Sequence, residues 1–549
     1  MLGLRDNVAD GLFNPVTGEL RPGFPVTAED VVVDVGCGGA IDSIFCAEQG
    51  AHVIYVDSNP DAVAIAGTRL AGAGARELTP IVSDANPLPL GDGTATRVIA
   101  SEVLEHVDDP RQFLRELVRV GAPGALYLLA VPDPAAEELQ LGLAAPVYFQ
   151  KPNHVRIIGR SEFARMVTDA GLIIERRGSY GFYWAIWWVL FWICNVDISE
   201  SHPILNSWSK TWDALLELPN SGPVRRGLNK LLPKSQYIVA RKAKPVGVFG
   251  KIRGFLTAKI AAPAPAAAPA NQSNAHRAAV GAQSEPAEAL DQNSVGLFDA
   301  VMGAWFKFDQ KEIFPGFQIS GDDAILDAGC GRGDFSVICG RLGTNLTAID
   351  SDPENIAITE KRVKETGIPS FTAVVGGTKP LPFPDVSFTK IIAMESIGRD
   401  SDPAGFLQEL VRVGRPGARY LLSIQDAVQY GLQREWAPPE YFADTGADKR
   451  KFGRVPTAQI HSFGRDEFER MVSSCGLVVE RVDFYGFFWA LWFAFFWACE
   501  VDFDNPHHPL LTQWAHTWKL VLEAPDGPKI KQRMDSFLPR NQLILARKP

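Results

Sequence analysis

The sequence predicts an α/β protein made of two doubly wound, mainly parallel sheets in tandem, and three observations carry that prediction. Strand and helix signals alternate, at spacings that require crossover connections rather than hairpins. The pattern is also written twice: Val32-Val33-Asp34-Val35-Gly36-Cys37-Gly38 returns as Ile325-Leu326-Asp327-Ala328-Gly329-Cys330-Gly331, displaced by 293. Arg160-Ser161-Glu162-Phe163 then returns as Arg465-Asp466-Glu467-Phe468, displaced by 305. Finally, each copy follows its first strand with a glycine-rich turn and ends its second in an acid. A period this long is not that of a solenoid. Two homologous domains are expected, at 1–244 and 292–549, and the change of offset puts about a dozen extra residues of the second copy within 425–460.

In order along the first copy, Val31–Val35 reads as a short strand buried on both faces, 41–49 as a helix, 53–57 as a strand and 61–70 as a helix. A strand at 97–101, a helix at 110–120 and a strand at 125–131 follow. Gln236–Lys242 and 542–548 close the two copies as final strands. Between the domains, 245–291 centres on AAPAPAAAPA, whose prolines fix φ and remove donors, so a semi-rigid tether is expected.

Composition narrows the function. At 549 residues the chain exceeds one core, and 46% hydrophobic with 21% charged residues excludes a disordered or collagen-like protein. Lys plus Arg number 54 against 64 Asp plus Glu, a net charge of −10 that argues against a nucleic-acid surface. Seven Cys without a CxxC pair exclude a disulfide scaffold and a zinc ribbon. The opening MLGLRDNVADGLF carries no secretory signal, so a cytoplasmic location is the starting expectation.

Ligands of open parallel sheets bind beyond the carboxyl ends of the strands. There, copy two carries Asp327, Gly329, Gly331 and Gly333, and copy one carries Asp34, Gly36 and Gly38, with Ala40 in the place of a third glycine. The spacing is not the G-x-G-x-x-G of a dinucleotide site, which disfavours NAD. Asp57 and Asp350 end the next strands, 21 residues after the first glycine, where an acid can accept both hydroxyls of a ribose.

On these residues the sequence resembles the class I S-adenosylmethionine-dependent methyltransferases, in particular the type 11 small-molecule group. The resemblance implies two Rossmann-like domains, each a mainly parallel seven-stranded sheet with its last strand antiparallel. It implies that the glycine loops hold the methionine and ribose parts of S-adenosyl-L-methionine, that Asp57 and Asp350 bind the ribose, and that Asp84 meets the adenine amino group. The fourth-strand signature is matched by Ser101-Glu102-Val103-Leu104-Glu105-His106-Val107. Copy two departs from the pattern, with Gly376-Gly377 in place of Ser83-Asp84 and Met394-Glu395-Ser396-Ile397-Gly398-Arg399 in place of the Glu-His run. Copy one is therefore read as the catalytic half and copy two as a cofactor binder.

Where the family has a short hairpin before the last strand, each copy inserts about fifty residues, opening with uncharged aromatic helices at 180–194 and 485–499. A helix of 15 residues spans about 22 Å, short of the roughly 30 Å of a bilayer core. Three roles are open for these insertions: a seam pairing the two domains, a wall of an apolar substrate pocket, or a dock at the inner surface of a membrane. An oxygen acceptor needs a base, for which His154 is the first candidate and His106 the second. Copy two keeps a histidine there in Gln459-Ile460-His461, displaced by two. The nine His show no metal-ligand spacing, so no metal is expected, and Cys37 and Cys330 read as packing residues. O-methylation of a small, apolar or lipid-linked acceptor is the leading function. The alternatives are a half that only binds or scaffolds and, behind it, a nucleic-acid methyltransferase, disfavoured because no Asp/Asn-Pro-Pro-Tyr/Phe stands at the fourth strand.

Overall fold

The computed structural model describes residues 12–244, 292–437 and 461–549 together with Arg5, apart from 199, 304, 369, 500 and 502–506. The tether expected at 245–291 lies outside the described residues, as do 438–460. In the first domain the elements are β1 (Val31–Val35), α1 (Ile41–Glu48), β2 (His52–Asp57), α2 (Pro60–Leu70), β3 (Glu77–Val82), β4 (Ala95–Ser101), α3 (Pro110–Val120) and β5 (Gly121–Pro132). They continue with α4 (Pro134–Gln140), α5 (Arg160–Asp169), β6 (Leu172–Tyr180), α6 (Phe182–Cys194), α7 (Pro203–Leu216), α8 (Ser221–Leu231) and β7 (Ser235–Lys242).

The second domain repeats the series: α9 (Gln292–Met302), β8 (Ala324–Ala328), α10 (Asp334–Arg341), β9 (Asn345–Asp350), α11 (Pro353–Lys364), β10 (Ser370–Val375), β11 (Phe388–Ala393), α12 (Pro403–Val413) and β12 (Gly414–Gln425). It ends with α13 (Ala427–Trp436), α14 (Arg465–Ser474), β13 (Val478–Tyr485), α15 (Phe487–Cys499), α16 (Pro509–Glu523), α17 (Gly527–Phe537) and β14 (Asn541–Arg547). The sheets run β3-β2-β1-β4-β5-β7-β6 and β10-β9-β8-β11-β12-β14-β13. The closing strands β7 and β14 are antiparallel to both neighbours. This is the predicted seven-stranded architecture, twice.

Local chemistry explains the elements. The run Val32-Val33-Asp34-Val35 is buried at every position because helices cover both faces of the sheet. Helix α2 starts where Asn59 accepts from the Asp61 N–H and Pro60 pre-sets φ; Asp352 and Pro353 do the same for α11. Gly36 stands at φ 76°, and a Cβ on it would meet Val103 Cγ2 at 2.4 Å. Ala40 takes φ 59°, the left-handed turn that Gly333 makes at φ 83°. The turn is thus kept without a third glycine, at a cost of about 1–2 kcal/mol. A Cβ at Gly333 would lie 2.6 Å from Thr359 Cγ2, and the first domain has Ala66 at that helix position.

Each insertion is three helices rather than one. The helices α6 to α8 and α15 to α17 contribute to a single apolar core, with Trp208, Trp212, Trp514 and Trp518 fully buried. Trp208 and Trp514 meet edge to face at 6.2 Å. Beside them Thr517 Oγ1 is 2.8 Å from both Ser207 Oγ and Thr211 Oγ1, and Gln513 Nε2 donates to Ser207 Oγ at 2.8 Å. The buried indoles are satisfied: Trp208 donates to Tyr183 O and Trp514 to Phe488 O, each at 3.0 Å. Among the described residues no helix is long and apolar enough to cross a membrane.

Candidate active site

The glycine turn of the first domain brings Asp34, Gly36, Gly38 and Asp57 to the carboxyl edge of the sheet. The Gly38 N–H donates to Asp57 Oδ2 (3.0 Å) and the Asn59 N–H to Oδ1 (2.9 Å), which leaves lone pairs on both oxygens for further donors. A Cβ at Gly38 would meet nothing within 4 Å, so the turn faces open space. Asp57 pairs with Val82 across β2 and β3, so exposed Asp84 lies just past the same edge. Ser101 ends β4 and donates to Asp42 Oδ2 at 2.8 Å; Arg21 Nη2 lies 3.5 Å from the other oxygen of Asp42. Sequence reasoning missed Arg21 and Asp42. The cradle of bare backbone, open space and half-used carboxylate fits a ribose-bearing cofactor. Cys37 lies in the turn, and burial pushes its thiol up to about 12, which suits packing rather than attack.

Burial, reinforced by Asp42 and opposed by the Ser43 hydroxyl, pushes the Asp34 carboxyl up to about 7; burial pushes Asp327 up to about 7 as well. Folded values above the ordinary 3.8 mean that the stability tied to the neutral acid is whole at low pH and is lost as pH climbs towards 7. Asp327→Asn should therefore gain on the wild type between pH 5 and pH 8, by about 3 kcal/mol. Thermal midpoints measured at both pH values check this. A difference that does not change with pH counts against a raised carboxyl.

Beside the turn lies a cluster that the sequence did not bring together. After β4 come Glu102, Glu105 and His106, and the loop before α5 returns His154 to them, so that the two imidazoles meet edge to face at 5.0 Å. His154 Nδ1 is 2.8 Å from Glu137 Oε2 of α4, and the Tyr148 hydroxyl donates to Glu137 Oε1 at 3.0 Å. His106 Nδ1 is 3.0 Å from the Pro152 carbonyl, and burial lowers the affinity of His106 for a proton. Glu105 is 1% exposed, and burial, then the neighbouring Glu102, pushes its carboxyl well up. Lys234 pairs with Glu102; burial opposes the lysine's charge, but the acids around it hold its affinity for a proton above the ordinary value. A cavity of about 340 Å³ opens over His154 and Lys234, walled by Tyr148, Trp188, Phe191 and Trp192, with Ile198 62% exposed at its rim.

The second domain keeps one end of this arrangement. Gly331 N–H donates to Asp350 Oδ2 (2.9 Å), and Gly329 and Gly333 hold their left-handed turns. However, Phe314, Phe335 and Met394 replace Arg21, Asp42 and Ser101, and Trp305 packs 5.2 Å from Phe314 and 4.8 Å from Tyr485. Gly377 stands where Asp84 would be, two residues beyond the Asp350–Val375 pair. On the acceptor side Gly398, Arg399 and Tyr430 replace Glu105, His106 and Glu137. Glu395 is held by Arg540 (3.4 Å), Arg399 (3.8 Å) and the Asn541 amide (2.6 Å). His461 takes the register of Val155, since its N–H donates to Gly398 O as that of Val155 donates to Glu105 O. It is displaced from His154 by one place, not the expected two, and Gln459 and Ile460 lie outside the described residues.

Residues 33–129 and 326–422 each match the family model described as a methyltransferase domain. The chain is 34% identical over 116 residues to norajmaline N-methyltransferase of Rauvolfia serpentina, covering 20% of this chain and 40% of that protein. It is 29% identical over 150 residues to ubiquinone biosynthesis O-methyltransferase of Thiobacillus denitrificans, covering 26% and 65%. The chain thus spans less than two thirds of either relative. A solved putative methyltransferase of Bacillus halodurans is 19% identical, with 40% of this chain and 95% of that one covered and a TM-score of 0.29.

Proposed function

We propose, from the match of residues 33–129 and 326–422 to the methyltransferase-domain model, that the first domain transfers a methyl group from S-adenosylmethionine to a hydroxyl of a small, apolar or lipid-linked acceptor. The observation that carries the reading is the aromatic-walled cavity lined by His154, which Glu137 orients. The cofactor supplies an activated methyl on a sulfonium. The chain's own residues do the rest. Asp57, Gly38 and Asp84 hold the nucleoside, and Trp188, Phe191 and Trp192 exclude water and align the acceptor. Alignment of this kind can account for about 7–11 kcal/mol of a barrier. His154 presents Nε2 to the acceptor oxygen, because Glu137 keeps the proton on Nδ1. The relative from Thiobacillus denitrificans, named for ubiquinone biosynthesis, supports a lipid-linked acceptor. Exposed Ile198 at the cavity rim supports presentation of that acceptor at a membrane surface.

A second reading concerns the second domain. Its apolar filling at Phe314, Phe335 and Met394 and its arginine-held Glu395 favour a half that binds cofactor weakly and scaffolds the first, without transferring methyl itself. Calorimetry of the full chain tests both readings. Asp57→Ala should cost S-adenosylmethionine about 1.5–3 kcal/mol of binding at the tighter site, and Asp350→Ala should leave that site untouched. Unchanged tight binding in Asp57→Ala would remove the first domain from the mechanism.

A further inference from the structure

We propose that Glu105, His106 and His154 of the first domain bind a divalent transition-metal cation, of the Zn²⁺, Co²⁺ or Mn²⁺ kind, at the floor of the acceptor cavity. One ligand atom from each of the three lies within 4.8 Å of the others, and Glu105 Oε1 is 3.7 Å from His106 Nε2. Ligands at about 2.1 Å from one tetrahedral ion stand about 3.4 Å apart, so shifts of just under about 1 Å in each side chain close the site.

Two further observations point to a cation. Glu105 is buried, yet neither of its carboxylate oxygens accepts a hydrogen bond, which is costly for a group with nothing to receive. Both histidines are also oriented from behind. His106 Nδ1 faces the Pro152 carbonyl and His154 Nδ1 faces a Glu137 oxygen. Oxygens of these kinds only accept, so Nδ1 carries the proton in each ring and Nε2 keeps its lone pair. A carboxylate or carbonyl behind each imidazole is the usual support of a metal ligand. Two imidazoles and one carboxylate select a borderline transition metal over Mg²⁺ or Ca²⁺, which prefer oxygen ligands.

His154 lines the cavity, so an acceptor held there would come beside the cation. With the cation bound, Nε2 of His154 is a ligand rather than the base of the metal-free reading, and a coordinated hydroxyl loses its proton to solvent more readily. Its oxygen pair then forms the new O–C bond as the C–S bond breaks with both electrons going to sulfur, and no oxidant or reductant is required. This role rests on the methyl-transfer reading; cation binding itself does not. The second domain offers Gly398 and Arg399 in place of Glu105 and His106, so one cation per chain is expected rather than two.

The test uses the full chain after removal of metal by chelator. Titration with Co²⁺, followed by calorimetry and visible absorption, should show one site with an imidazole-ligand spectrum, displaced by Zn²⁺ and not by Mg²⁺. Glu105→Gln, His106→Ala and His154→Ala should each weaken it at least 100-fold, and Glu137→Gln about 10–100-fold. Cofactor binding verifies that each variant is folded, and His52→Ala serves as a control. No Co²⁺ binding, or equal binding in all the variants, overturns the site. Full methyl transfer by the chelated protein overturns the acceptor role. Co²⁺ binding in a protein that methylates no hydroxyl acceptor would leave the site standing and sink the methyl-transfer reading instead.

Discussion

His154→Ala should lower kcat for acceptor methylation by about 10²–10⁴-fold while S-adenosylmethionine binds as in the wild type. The separation follows from the geometry. His154 enters from the loop after β5 and touches the cavity, Glu137 and the rings of Tyr148 and His106. The glycine turn and Asp57 rest on β1 and β2 and hydrogen-bond to each other. Glu137→Gln keeps the shape of the residue and can still accept from Nδ1, so its loss should be smaller and should fall on kcat more than on KM. Single-turnover assays with saturating cofactor check both variants. A His154→Ala enzyme at wild-type turnover would show that the acceptor is activated elsewhere.

The sheets were legible because their signal is local. Val32 to Val35 is an apolar run interrupted only by an acid at the strand's end, and the prolines after Asn59, Asp109, Asp352 and Asp402 mark helix starts whatever the tertiary context. Asp57 and Asp350 were legible for the same reason, since each sits a fixed distance from its glycine turn. The acid–imidazole cluster was not. His106 and His154 are separated by two helices, a twelve-residue strand and a loop, and nothing in their spacing says that they face each other. Glu137 reads from sequence as the acid of a surface helix, and only the position of α4 beneath Tyr148 and His154 buries it. Lys234 meets Glu102 from 132 residues away. The divergence of the halves was partly visible: Gly377 and Arg399 announced it, but Phe314 and Phe335 acquire meaning only once they stand where Arg21 and Asp42 do. The aromatic insertions stayed ambiguous because a helix apolar on every side reveals that it is covered and not by what.

Trp208→Ala and Trp514→Ala should each cost about 3–5 kcal/mol, the range for removing a large aromatic side chain from a core. Trp188→Ser should instead spare folding and cofactor binding and abolish turnover. These residues lie on the same insertions and differ in what surrounds them. Trp208 and Trp514 are fully buried, face each other across the two halves, and give their indole N–H groups to backbone carbonyls that would lose a donor on truncation. Trp188 is partly exposed, and it and Phe191 line the cavity over His154. Density of Trp on a seam is therefore physically sound, since Trp208, Trp514 and Trp518 each have an acceptor, and the proposed lipid-facing role narrows to the cavity rim. Thermal unfolding, calorimetry with S-adenosylmethionine and turnover with an apolar hydroxyl acceptor separate the outcomes. If Trp208→Ala unfolds no more readily than wild type, the shared core does not hold the halves together. If Trp188→Ser unfolds the first domain while the wild type ignores apolar acceptors and vesicles alike, the cavity wall is only packing and the acceptor is not lipid-like.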